Sequence, residues 1–373
     1  MGLPGAIKSQ INNIRHFSGL FPPLRLARGA VTLPFDYIGP TGRAAHPMVI
    51  NILITSRCNM NCAMCSASDL RGRHYKEMSA GDIEHIAGQA EAFRPSFFIG
   101  GGEPFARDDI VDVIAAVKGH GHPLGIVTNG LRLDPDRGRK ILDLGIEHVM
   151  VSIHGPRDVH DAITGVKGAF ERVTENLTAF CRDKGSTRVM LNFVLSRENL
   201  EHIDELVELG RRIGVDKVRI EHLLYMTDDD IRNHESWLTD NVGDNAGLTL
   251  KVETFVCGQA TVDGFAGELP GLLDEVKAHY GDFVYIKPAL SRKETAEWYS
   301  PGYTSDRPCF FIWRSLFIDP EGFVIPCQYY SDMKLGNALD EPILEIWNSR
   351  GYRNLRRLIR DRTPPACSRC CKT

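Results

Sequence analysis

Three cysteines constrain this chain more than any other feature. Cys58, Cys62 and Cys65 form a C-x3-C-x2-C triplet directly after the apolar run Val49-Ile50-Asn51-Ile52-Leu53-Ile54. Three thiolates on one tight loop can hold three irons of a cubane, which leaves the fourth iron without a protein ligand. A cluster that only stores electrons is closed by four cysteines, whereas a metal centre that does chemistry keeps a coordination position open. The competing reading is half of a zinc site completed by a distant His. Structural zinc favours paired C-x2-C knuckles, or two cysteines with two histidines, instead.

Composition narrows the setting. The net charge of −4 over 373 residues excludes the polybasic signature of a nucleic-acid binder. No stretch approaches ~18 consecutive apolar residues, so no transmembrane helix is expected. The N-terminus lacks a compact apolar region followed by a small-residue cleavage site, which argues against secretion. Ten cysteines in such a chain read as metal ligands rather than disulfides, and a reducing cytoplasm is the expected location. Lys8, Arg15, Arg25 and Arg28 precede the first acid, Asp36, while Ile7, Ile11, Ile14 and Phe17 fall at helical spacing. This predicts a basic amphipathic helix, lying on a membrane surface or packed outside the main domain.

Four segments follow from the pattern. Residues 1–48 form the basic extension. Between 49 and 224 short apolar runs alternate with amphipathic stretches: Val49–Ile54, Ser96–Ile99, Leu124–Thr128, His148–Ile153, Val189–Leu195 and Lys217–Leu223 read as strands. Ser79–Phe93, Asp108–His120, Asp136–Leu144, Ala169–Lys184 and Leu200–Ile213 read as helices, with Ser79 and Asn199 as start signals. Such alternation means a parallel α/β sheet with helices outside it. Residues 225–307 lose the period and read as a connecting or cap region with one or two helices. Residues 308–373 hold five of the ten cysteines.

The second strand closes on Gly100-Gly101-Gly102-Glu103-Pro104. Glycines let backbone approach a ligand closely, and a carboxylate or carbonyl there can accept from a cation. Thr128-Asn129-Gly130 ends the third strand and Val151-Ser152-Ile153-His154 the fourth. Taken with the triplet, these motifs resemble the radical S-adenosylmethionine (radical SAM) superfamily. The resemblance implies a partial (β/α)6 barrel, a 4Fe-4S cluster on Cys58, Cys62 and Cys65, and SAM chelated to its open iron. It places Gly101, Gly102 and Glu103 at the methionine ammonium, Ser152, Asn129 and Asn192 against the SAM, and Met64 against its adenine. Residues 159–170 resemble the loop that follows the fourth strand in such proteins. Reductive cleavage to a 5′-deoxyadenosyl radical, then hydrogen abstraction, is the implied chemistry, with an electron donor such as a flavodoxin or ferredoxin.

Cys309-x12-Gly322-x4-Cys327 is followed by Cys367-x2-Cys370, with Cys371 adjoining, and Asp319–Cys327 reads as a hairpin turning at Gly322. This resembles the SPASM/Twitch C-terminal domains of the superfamily, in the shorter Twitch form with one auxiliary 4Fe-4S cluster. Cys309, Cys327, Cys367 and Cys370 would close that cluster; Cys371 is an alternative to Cys370. A four-cysteine zinc site has the same ligand count. Cys181 reads as core, and Cys257 as a structural thiol or a hydrogen donor.

A small-molecule substrate is favoured, because the 48 residues before the first strand do not resemble the leader-binding domain of peptide-modifying relatives. A peptide or a lipid-associated metabolite is the alternative substrate, and a metal-cluster scaffold the alternative outside the enzyme class. Alcohol oxidation would need a base. Glu221, His222, His154 and Tyr225, at the ends of late strands, are the candidates.

Overall fold

The computed structural model describes residues 20, 23–65, 75–241, 264–305 and 307–370. The expected helix over Ile7–Phe17, Cys257 and Cys371 lie outside the described residues.

All six expected strands form: β1 (Val49–Leu53), β2 (Ser96–Gly100), β3 (Leu124–Thr128), β4 (His148–Ser152), β5 (Arg188–Val194) and β6 (Lys217–Glu221). Each pairs parallel with the next, as right-handed βαβ crossovers require. Three more strands enlarge the sheet. β7 (Val284–Lys287) adds parallel to β6, inside the segment whose sequence shows no period; four residues are too few to show one. β8 (Ser315–Ile318) adds parallel to β1 on the opposite edge, and β9 (Val324–Ile325) turns back antiparallel. The expected hairpin is therefore present, with Gly322 at φ +90° in its turn. It does not stand apart as a separate sheet, however: it extends the barrel, in the order β7-β6-β5-β4-β3-β2-β1-β8-β9.

The helices are α1 (Pro23–Ile38), α2 (Ala80–Gln89), α3 (Ile110–Gly119), α4 (Pro135–Asp143), α5 (Arg157–Thr164), α6 (Ala169–Asp183), α7 (Ile203–Ile213), α8 (Asp228–Asn241), α9 (Phe265–Tyr280) and α10 (Arg292–Trp298), with three shorter or later ones within 311–361. Ser79 and Asp82 make a reciprocal capping box at the start of α2, as their spacing predicts. Asn199 does not cap. Its amide is used as a strut, donating to the carbonyls of His154 and Val194 and so joining the ends of β4 and β5. Among the described residues no helix is long and apolar enough to cross a membrane.

The two faces of the sheet differ. Ile50, Ile52 and Ile54 are fully buried under the helices, while Asn51 and Leu53 are half-buried on the opposite, lumenal face. Residues paired directly across strands share a face. Ser152, Asn192, Arg219 and Tyr285 thus make one lumenal row, and Val194, Glu221 and Lys287 the row beyond it, at the strands' C-terminal ends. That is the end of a β/α barrel where chemistry is built.

Candidate active site

The loop carrying Cys58, Cys62 and Cys65 leaves the end of β1 and is clamped from two sides. On one side the glycine turn grips the residues just before it: the Gly102 amide donates to the Thr55 carbonyl at 2.8 Å, and the Glu103 amide to the Arg57 carbonyl at 2.8 Å. A Cβ on Gly101 would collide with the Thr55 carbonyl oxygen and one on Gly102 with that of Arg57, and Gly101 sits at φ +132°. These two glycines are required so that one loop can lie on the other. On the other side α5 receives the loop, the Asn61 amide donating to the Thr164 carbonyl and the Ala63 amide to that of Ile163, both at 2.9 Å. Residues 159–170 are therefore not simply a loop: Pro156 before and Gly165 after are the ends of an eight-residue helix.

The expected SAM contacts divide into braces and open groups. Glu103 is 1% exposed and accepts from the Phe105 amide (3.0 Å), Thr128 Oγ1 (2.6 Å) and the Asn129 amide (2.7 Å). Burial pushes its carboxyl pKa up and the three donors act against that. Its carboxylate ties β2 to β3. Asn129 likewise spends its side chain inside the protein, Nδ2 donating to Asn59 Oδ1 at 2.8 Å and Oδ1 accepting from the Leu131 amide. Ser152 and Asn192 pair directly across β4 and β5, and among the described residues Asn192 Oδ1 is buried without a donor. Asn59 Nδ2, in the cluster loop itself, is likewise buried without an acceptor among the described residues. A Cβ built on Gly100 would meet none of the described residues within 4 Å, which leaves space among them beside the loop on the lumenal side. An unpartnered donor, an unpartnered acceptor and a cradle lined by glycine fit a small polar cosubstrate. Met64 is half-buried against the core.

The four acid–base candidates separate clearly. Glu221 ends β6 in the outer lumenal row, its Oε2 2.7 Å from Arg219 Nη2. His222 points the other way by strand alternation; it is fully buried beside Trp298, with Nδ1 3.0 Å from the Tyr299 hydroxyl, and burial pulls its pKa to about 3. His154 is held by backbone, the Val194 amide donating to its Nδ1 at 3.4 Å. Burial and the neighbouring His160 lower its pKa to about 3. Tyr225 donates to the Trp298 carbonyl at 3.1 Å and stacks on Tyr299. Tyr299, unmarked in the sequence, links His222 to the Leu223 amide.

At the C-terminal end the thiols gather around a buried tyrosine. The Tyr330 hydroxyl lies 3.3 Å from Cys367 Sγ. Burial, with Cys309 and Cys327 adding to it, pushes the Cys367 thiol far above its ordinary range. Burying thiols together is unfavourable for the thiolate and is relieved by binding metal. Cys370 is buried beside Arg369, and Cys181 is buried in α6. Among the described residues no three His, Cys, Asp or Glu side chains are arranged to hold a single metal ion; a cubane asks each thiol to reach a different corner instead.

An open parallel barrel with a three-thiol loop at its first strand, and a second thiol set on either side of its C-terminal hairpin, has the layout of an iron–sulfur enzyme of radical type. A model of the radical SAM superfamily matches residues 52–210, and a model of SPASM, an iron–sulfur cluster-binding domain, matches residues 309–371. The chain thus carries a radical SAM domain and a C-terminal SPASM domain. Its cofactors are SAM, a 4Fe-4S cluster and auxiliary iron–sulfur in the SPASM domain. Fe-coproporphyrin III synthase of Methanosarcina barkeri is 24% identical, over 93% of this chain and 86% of that protein. Pre-heme d1 synthase of Dinoroseobacter shibae is 25% identical, over 85% and 76%. SuiB of Streptococcus suis bound to SAM superposes with a TM-score of 0.64 at 16% identity, covering 89% of this chain and 72% of that one. That identity speaks to fold alone.

Proposed function

We propose that this radical SAM protein oxidises a small, carboxylate-bearing molecule of the tetrapyrrole kind. The observation that carries the reading is the charged band at the barrel mouth, where Arg219, in the row of Ser152 and Asn192, shares the lumenal face with Glu221 and Lys287 of the row beyond. Cations fixed on strands bind carboxylates by charge-assisted hydrogen bonds. The two curated relatives that span most of the chain are named for an iron coproporphyrin and a haem precursor.

When bound, the triplet cluster and SAM supply the one-electron chemistry that takes a hydrogen atom, and the auxiliary cluster supplies a one-electron acceptor. Glu221 takes the accompanying proton, held in place by Arg219. Ser152 and Asn192 orient the SAM, and Glu103 acts behind the glycine turn by holding it against the cluster loop. His154, His222 and Tyr225 shape the wall. The external reductant is a small donor such as a flavodoxin or ferredoxin.

The test is anaerobic incubation of the reconstituted chain with SAM, dithionite and either a metal-free or an iron-loaded tetrapyrrole that still bears side-chain carboxylates absent from coproporphyrin III. Substrate-dependent deoxyadenosine is expected, with oxidised product falling by about 10²-fold or more in Glu221→Gln. Absence of stimulation by either compound would overturn the substrate class. A second reading, a lipid-associated substrate, is favoured by one observation: Val31, Phe35 and Ile38, at i, i+4 and i+7 of α1, are 63%, 77% and 64% exposed. Flotation with anionic vesicles, lost in Phe35→Glu, would support it.

A further inference from the structure

Tyr330 belongs to none of the roles above. It closes the short 3-10 turn Gln328–Tyr330 that follows Cys327, and its amide donates to the Cys327 carbonyl at 3.1 Å. Its side chain is 2% exposed and reaches Cys367, 37 residues further along the chain, at 3.3 Å. One residue therefore joins two cysteine-bearing segments, by backbone to the first and by side chain to the second.

The direction of that second bond is fixed by chemistry. A free thiol and a phenol could each donate, but a cysteine that ligates iron is a thiolate and can only accept. A phenol is protonated at neutral pH and so has a hydrogen to give. The ring is packed against His234 of α8. One helical turn earlier, Asp230 receives Arg369 Nη1 at 2.6 Å, while Arg369 Nε and Nη2 donate to the carbonyls of Trp298 and Ser300. Helix α8 thus anchors both Tyr330 and the residue beside Cys370.

We propose that Tyr330 is a positioning residue for the auxiliary cluster, whose hydroxyl donates to the Cys367 thiolate and raises the cluster's reduction potential. The inference rests on the reading that Cys309, Cys327, Cys367 and Cys370 hold that cluster. A hydrogen bond to a ligand sulfur stabilises the more negative, reduced state over the oxidised one. A raised potential suits a cluster that takes up one electron from a substrate that has already lost a hydrogen atom.

The experiment is an EPR-monitored redox titration of the full chain carrying Cys58→Ala, Cys62→Ala and Cys65→Ala, so that only the auxiliary cluster reports. Tyr330→Phe in that background keeps the ring and removes the hydroxyl; the expected result is unchanged iron and sulfide with a midpoint moved to more negative potential. Tyr352→Phe is the control, since Tyr352 is equally buried but gives its hydroxyl to the Ser315 carbonyl; its midpoint is expected to stay put. Loss of iron in Tyr330→Phe but not in Tyr352→Phe would also support the positioning role. An unshifted midpoint, or the same shift in both variants, would overturn the Tyr330 assignment alone. A parent that binds no iron would overturn the cluster reading and the assignment together.

Discussion

Glu103 and Glu221 both sit at the C-terminal ends of barrel strands, and their surroundings give them opposite work. Glu103 is enclosed by three donors, so replacing one carboxylate oxygen with an amide NH2 sets donor against donor. Glu103→Gln is expected to cost about 1–3 kcal/mol, read as a lower unfolding temperature of the iron-loaded chain. Glu221 has a lumenal position and is paired with Arg219. Glu221→Gln is expected to abolish turnover and, because the Arg219–Glu221 pair is only 12% and 14% exposed, to lower stability as well. Retained turnover in Glu221→Gln would contradict this division. His154 and His222, both with pKa values near 3, are neutral around pH 7 and too weakly basic there to serve as general bases. Burial, invisible in the sequence, argues against the two histidines that sequence position alone would nominate.

At the scale of elements, the cluster loop depends on two neighbours that approach it as backbone. Gly102→Ala places a methyl against the Arg57 carbonyl and is expected to destabilise by about 1–3 kcal/mol. SAM-dependent cleavage is expected to be lost before iron content is; iron and deoxyadenosine assayed on the same sample separate the two effects. The triplet and the Gly-Gly-Gly-Glu turn are legible because each is a local run, and the six strands because each is followed by a helix of ordinary length. What escapes is short or long-range. β7 has four residues, α5 hides between Pro156 and Gly165, and Asn199 carries a capping residue's identity but a strut's geometry. Tyr299 and Tyr330 gain their roles only from partners 77 and 37 residues away. The C-terminal hairpin is legible as a hairpin, yet its pairing to β1 joins residues far apart in sequence, and no spacing announces that.

For the whole molecule, buried neutral histidines set the acid limit of stability. Burial lowers His154 and His222 to about 3, and His148 and His160 to about 4, from an ordinary 6.5. The unfolded chain takes up protons below pH 6.5 that the folded chain refuses until pH 3–4. Stability is therefore full above about 6.5 and is lost as pH falls, by up to about 1.4 kcal/mol per histidine per pH unit. Denaturant midpoints at pH 7.5 and 5.5 check this; the lower pH is expected to give the lower midpoint. The same molecule joins two thiol sets through one continuous sheet, β8 beside β1 carrying the SPASM hairpin to the barrel edge. The central claim is that both sets hold clusters and that only the first is open to SAM. Iron and sulfide counted after anaerobic reconstitution, with deoxyadenosine measured after reduction in the presence of SAM, test it most directly. The account predicts about eight irons per chain, falling to about four with deoxyadenosine abolished in Cys58→Ala, and to about four with deoxyadenosine retained in Cys367→Ala. Zinc in place of iron at the C-terminal cysteines, or no deoxyadenosine from the fully loaded chain, would contradict it.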